Sequence, residues 1–259
     1  MLVYSHGFFA MNTRFNMVIP GMDSTRGDEL GRISAQIVES WEQRLSRFRS
    51  GAELQIINEL AYERDVLASE AMNGVLDICD RYHSLTMGLF DPAVNQGKGS
   101  WKEVIRDREK GSIRFAGEGV KLDFGGIGKG IALEDVVSYL KLEDVVDAFL
   151  SFGESSIAGM GKHPHGEGWL VGSREGFLLN DAFISVSGLQ NQGGSGEPAI
   201  KAHIYHPLKG ELIKAKRRVM VENKSAIEAE VLSTCAYMAD EGEFEDLKAQ
   251  FPDTQWQFD

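Results

Sequence analysis

Four glycines in six residues, Gly125-Gly126-Ile127-Gly128-Lys129-Gly130, stand directly before a run in which Ile131, Val136, Val137 and Leu140 recur at helical spacing. A glycine-rich turn that feeds a helix start lets backbone N–H groups approach an anion, because no Cβ intervenes and the helix dipole is positive at that end. Lys129 adds a mobile cation, and the combination suits a phosphate. The spacing is neither G-x-G-x-x-G nor Walker A, so it licenses neither a Rossmann nor a P-loop reading. A tight turn packed against a sheet would use the same glycines.

Glu230 and Thr234 lie four residues apart in another helical pattern and therefore share a face. Their oxygens could hold a hard cation such as Mg2+; the same spacing fits a solvated glutamate beside a threonine bonded to its own helix. His203 and His206 bracket Ile204-Tyr205. On a strand, His203 would share a face with Tyr205 and His206 would take the other, which argues against a shared metal. A histidine there could act as general base or be purely structural. His6, His83, His163 and His165 have no better claim. Arg47 and Arg49 fit a phosphate contact or a solvated helix end. Trp41, Trp101, Trp169 and Trp256 read as core or covering residues.

The 259 residues are 42% hydrophobic and 25% charged, an ordinary globular composition with enough chain for a large core. A net charge of −12 argues against a general nucleic-acid binder or a protein held on an anionic membrane, but leaves room for a small anion held by local donors. Cys79 and Cys235 both sit in helical patterns, which suggests neither zinc nor a disulfide framework. No apolar run reaches membrane-spanning length, and the first residues lack a basic region, a long apolar stretch or an early cysteine. The expectation is a cytoplasmic protein.

The elements that must position these groups follow from periodicity. Residues 8–20 read as strand, followed by a turn at 21–24. A helix is expected from Ser24, with Leu30, Ile33, Ile37, Trp41, Leu45 and Phe48 on one apolar face. A second helix runs from about Ser69, with Met72, Val75, Leu76 and Cys79 inward, to near Gly88. After the glycine turn and its helix come short strands at 145–152, 169–171, 183–186, 203–205 and 219–221. Residues 193–198 read as a mobile loop. The last strong helix begins at Ser225, where Ser225 and Glu228 form a capping-box pair and Ile227, Val231 and Met238 point inward. The irregular order, without a βαβ period, predicts an α+β fold in one compact unit spanning 1–259.

In this order, the pieces resemble the ApbE family, the FAD:protein FMN transferases. Met11-Asn12-Thr13 resembles its Met-Gly-Thr opening, and Leu45-Ser46-Arg47-Phe48-Arg49 with Glu53-Leu54 and Asn58 its next segment. Gly88-Leu89-Phe90-Asp91-Pro92 resembles its G-x-F-D-p loop. Residues 122–130 resemble D-L-G-G-I-A-K-G, with Phe124 and Gly128 substituted and Glu134 at an aspartate position. Ser185-Val186-Ser187-Gly188 resembles T-S-G, His203-Ile204-Tyr205-His206-Pro207-Leu208-Lys209-Gly210 resembles H-I-x-D-P-r-T-G, and Ala229-Glu230-Val231-Leu232-Ser233-Thr234 resembles A-D-a-l-a-T.

The resemblance implies a T-fold-related architecture of largely antiparallel sheets with packed helices, holding FAD in a cleft. It implies FAD contacts at Met11, Asp91, Gly125, Gly126, Lys129, Gly130, Glu134, Ser187 and Gly188. It further implies Mg2+ at Glu230, Thr234 and the carbonyl of Gly128, with His203 and Lys129 as catalytic groups. The implied reaction transfers FMN from FAD to a threonine of an acceptor protein and releases AMP. An FAD pyrophosphatase giving FMN and AMP, or a non-catalytic FAD-binding protein, would use the same groups. Glu230 and His206 stand where the family has aspartate, Leu208-Lys209 replaces Arg-Thr, and residues 151–155 depart from Asn-x-Gly-Gly-Asp.

Overall fold

The computed structural model describes residues 2–93, 98–172, 176–188, 204–213 and 218–258. The chain opens with β1 (Val3–Ala10) and β2 (Thr13–Pro20), then α1 (Ser24–Leu45), α2 (Glu53–Leu60), β3 (Val66–Leu67) and α3 (Glu70–Leu85). Next come β4 (Val104–Asp107), β5 (Ser112–Phe115), α4 (Gly128–Leu142), β6 (Ala148–Phe152), β7 (Ser156–Met160), β8 (Trp169–Val171) and β9 (Phe177–Leu179). The remainder is β10 (Ala182–Gly188), β11 (Tyr205–His206), β12 (Glu211–Leu212), β13 (Arg218–Asn223), α5 (Ala226–Met238), α6 (Glu241–Gln250) and β14 (Gln255–Phe258).

Seven strands form one antiparallel sheet in the order β1-β2-β6-β7-β10-β13-β14. The expected single strand over residues 8–20 is a hairpin: Met11 and Asn12 both take positive φ, 48° and 62°, and reverse the chain between β1 and β2. Alternation along the strands separates the two faces. Ala158 and Met160 of β7 and Phe183 of β10 join a cluster with the buried side chains of α1 and α4. Ile157, Ala182, Ile184 and Met220 face the other way and pack with Trp169, Phe177 and Leu179 of the β8–β9 hairpin. A second large cluster gathers α2, α3, α5 and the β3-β5-β4 sheet. This is the α+β arrangement expected from the pattern.

The residues expected inward on α3 (Met72, Val75, Leu76 and Cys79) and the helically spaced Ile131, Val136, Val137 and Leu140 of α4 are all buried. Phe48 is not. The helix ends at Leu45 with Ser46 extended, and Phe48 is left 83% exposed under the Arg47 guanidinium. The Ser225 cap forms half of the expected box: its hydroxyl accepts from Glu228 N, but the Glu228 carboxylate turns to Tyr82 and Asn223 instead of Ser225 N. Residues 193–198 lie outside the described residues, as does His203; from the 203–205 segment, Tyr205 pairs with Leu212 in β11–β12. Both cysteines are free and buried. Among the described residues no helix is long and apolar enough to cross a membrane.

Candidate functional site

The glycine turn is held from three sides before it becomes α4. Asn58 of α2, buried, donates its amide to Leu122 O (2.8 Å) and accepts from Leu122 N (2.7 Å), and its own carbonyl accepts from Lys121 Nζ. Asp123 N donates to Pro92 O (2.8 Å). The Asp123 carboxylate accepts from Gly125 N (2.9 Å) and pairs with Arg47 (3.1 Å), so Arg47 is spent on the turn, not at a free helix end. Gly128 N then closes on Phe124 O (2.8 Å), and the N-cap residue Ile127 supplies no side-chain cap to α4. An N-terminus without a side-chain cap keeps its positive end available to an anion.

One glycine here is required by close approach, and a second shows which way the turn faces. A Cβ on Gly130 would lie 2.8 Å from Ala226 O, so only glycine lets the start of α4 rest on the start of α5. A Cβ on Gly126 would come within 3.7 Å of Phe90 and 3.8 Å of Thr234 Oγ1. Gly126 is thus the glycine facing Thr234, while the Cβ direction of Gly128 faces Leu45 at 3.5 Å.

The helix α5 is buried on nearly all sides, and its polar residues meet a polar patch on the sheet. Ser156 of β7 and Ser185 of β10 are register partners. Ser185 and Ser187 share a face at the strand period of two. Ser156 Oγ donates to Glu230 Oε1 (2.5 Å), and Ser233 Oγ bonds both Ser185 Oγ and Ser187 Oγ (2.9 Å each). Ser187 Oγ reaches Thr234 Oγ1 at 3.4 Å. Glu230 is only 3% exposed; Lys129 Nζ pairs with the same Oε1 at 3.0 Å, and Oε2 is buried without a hydrogen-bond partner among the described residues. A buried carboxylate needs such compensation, and an unpartnered oxygen on the helix face that also carries Thr234 is a feature that a cation would relieve. Among the described residues no three His, Cys, Asp or Glu side chains converge, so a cation held here would draw on Glu230 together with hydroxyl and backbone carbonyl oxygens.

The remaining expected residues divide by position. The row Phe15–Phe152–Ser156–Ser185 crosses four strands, and Met11, the turn at 153–155 and Ser187-Gly188 all lie beyond it at the same end of the sheet. Met11 packs on the apolar cluster of α1 and α4. Asp91 has a side chain 4% exposed and accepts from Ala93 N (2.9 Å), Trp101 N (2.9 Å) and Ser100 Oγ (3.2 Å), with His83 at 3.7 Å. Burial raises this carboxyl, but the nearby His83 and the hydrogen bonds from Trp101 N and Ala93 N outweigh it and hold it below the usual aspartate range. Asp91 therefore organises the loop whose Pro92 carbonyl grips the glycine turn. Glu134 reaches from α4 to the N-terminus of α5, accepting from Ser225 Oγ (2.5 Å) and Ile227 N (3.1 Å). His206 is 1% exposed and bonds Glu243 of α6 at 3.0 Å, joined there by Lys209.

Ser156 carries no signal in the sequence and Ser233 stands only within the segment 229–234, because their partners come from register and helix docking. Asn58 belonged to a quoted segment, but its grip on Leu122 spans 64 positions in the chain.

Comparison with known proteins adds to this geometry. An FAD:protein FMN transferase of Chlamydia muridarum is 25% identical over 202 residues, covering 68% of this chain and 63% of that protein, so the chain spans less than two thirds of that relative. The FAD:protein FMN transferase of Chlamydia trachomatis serovar D is 24% identical over 230 residues, covering 77% and 72%. Among solved structures, the flavin transferase ApbE of Vibrio cholerae superposes with a TM-score of 0.80 at 18% identity, covering 98% of this chain and 92% of that one. The ApbE protein of Thermotoga maritima gives 0.81 at 18% identity, covering 98% and 93%. At that identity the likeness speaks to the fold. The ApbE family model itself matches residues 11–111 and 96–256, from the β1–β2 turn through the glycine turn and α5 into β14, and the chain belongs to the ApbE family.

Proposed function

We propose that the chain is a Mg2+-dependent FAD:protein FMN transferase. It moves FMN from FAD to a threonine hydroxyl of an acceptor protein and releases AMP. The observation that carries this reading is the buried Glu230, which shares a helix face with Thr234, holds Lys129 on its Oε1 and has an Oε2 without a hydrogen-bond partner among the described residues, while Gly126 faces Thr234.

In this reading the glycine turn and the start of α4 receive the diphosphate of FAD, and Lys129 turns from Glu230 toward its oxygens. Lys129 has room for that, with its side chain 22% exposed. The donor set is all oxygen, which suits Mg2+, and Glu230, Thr234 and a carbonyl of the turn, Gly128 by resemblance, would hold it. When bound, the ion supplies charge neutralisation for the diphosphate and for the departing AMP. His203 takes the proton from the acceptor threonine as its oxygen bonds the FMN phosphorus and the phosphorus–oxygen bond to AMP breaks.

Incubation with FAD and Mg2+, with and without a threonine-bearing acceptor, tests the reading. AMP release that depends on the acceptor and leaves covalent flavin on it is the expected result. AMP and free FMN without the acceptor would make the protein an FAD pyrophosphatase. FAD binding without AMP would leave a non-catalytic flavin-binding protein.

A further inference from the structure

We propose that Ser156 is a positioning residue for Glu230, fixing which carboxylate oxygen faces the cation; this rests on the metal reading above. Ser156 is 1% exposed on the helix-facing side of β7, where its strand neighbours Ala158 and Met160 are apolar. A hydroxyl in that setting requires a partner, and its partner is Glu230 Oε1 at 2.5 Å. Lys129 Nζ takes the same oxygen at 3.0 Å. Two donors converge on Oε1, and among the described residues Oε2 has no hydrogen-bond partner.

The contact also accounts for the glutamate. Ser156 sits on the sheet and Glu230 on the helix that crosses it, so the carboxylate must span the gap between two layers to accept this bond. Aspartate is shorter by one methylene and would withdraw the carboxylate from β7. A side chain pinned at one oxygen presents the other in a fixed direction, which suits a cation with strict octahedral demands. Ser156 thus acts on the cation only through Glu230.

The test is Mn2+ binding in the presence of saturating FAD, read from the electron paramagnetic resonance of the free ion against an FAD-only blank. Thermal unfolding without metal monitors the fold. Ser156→Ala and the closer-sized Ser156→Cys should each weaken Mn2+ by about 10- to 100-fold, the usual effect of removing a group that orients a metal ligand. In a Glu230→Asp background, Ser156→Ala should weaken it no further, because the contact is already gone. If Ser156→Ala unfolds, the Ser156→Cys arm and its Glu230→Asp double variant carry the comparison. Parent-like Mn2+ affinity in the single variants, or an equal loss in the Glu230→Asp background, overturns the role of Ser156. A parent protein that binds no Mn2+ overturns the metal reading itself, and this role with it.

Discussion

Lys129 Nζ and Glu230 Oε1 lie 3.0 Å apart, joining the first turn of α4 to the middle of α5 across the mouth of the glycine turn. Lys129 is the more exposed partner, so the ammonium can leave Glu230 for a bound anion more readily than the carboxylate can move. FAD should therefore bind more tightly than riboflavin, which lacks the diphosphate. Lys129→Ala should cost FAD roughly 1.5–3 kcal/mol, the usual worth of a hydrogen bond to a charged group, and leave riboflavin nearly unchanged. Calorimetric titration of both ligands checks this; an equal loss for both would point to misfolding.

Glu230→Ala removes the carboxylate and leaves the Ser156 hydroxyl and Lys129 without their acceptor. Mg2+-dependent AMP release should disappear across a Mg2+ titration. Glu230→Asp should retain a reduced rate and require more Mg2+, since the charge survives but its anchoring to β7 does not. Full activity of Glu230→Ala at the parent's Mg2+ requirement would put the metal elsewhere.

The two histidines of the 203–206 segment should separate by assay. His206 is buried and bonded to Glu243, which also closes the capping box of α6. His206→Ala should lower stability by about 1–3 kcal/mol through the lost bond, with a modest effect on turnover at permissive temperature. His203→Ala should lower turnover at saturating FAD with little change in FAD affinity or melting temperature. A larger turnover loss in His206→Ala would reverse the assignment.

Asp91 should shape the acid limb of stability. Its folded-state titration is lowered, so its contribution is complete above the unfolded-chain pKa of about 3.9 and is lost as pH falls through the lower folded value. Asp91→Asn should be less stable than the parent at neutral pH, with the difference shrinking below about pH 4. Denaturant titrations at pH 7 and pH 3.5 measure it; a gap that does not narrow in acid would show that the carboxylate's charge is unimportant.

The parts of the molecule legible in the sequence were those where one helix face or one strand alternates over several turns. The interior faces of α3 and α4 and the start of α5 follow from local periodicity. The eight-residue α2 was missed because two turns give too little pattern and Ala52 supplies no side-chain cap. α6 was missed because Leu247 is its one buried residue. Phe48 kept the helical spacing after the helix had ended, which periodicity alone does not reveal. At the site, the glycine turn and the Glu230–Thr234 pair were visible as motifs. The hydroxyl patch that receives them was not, because Ser156, Ser185 and Ser187 converge on α5 only through strand register.

The contact of Gly130 with the Ala226 carbonyl, together with the Glu134 bridge to Ser225 and Ile227, leaves α4 and α5 no freedom to slide past each other. Their relative position is settled during folding, so under the proposed function little ordering entropy would remain to be lost on binding a nucleotide. The same two contacts would make the proposed site a poor place for adaptive closure: a bulkier diphosphate ester would have to be accommodated by the surrounding loops, while the spacing between α4, proposed to meet phosphate, and α5, proposed to offer the carboxylate, would act as a fixed ruler for ligand length.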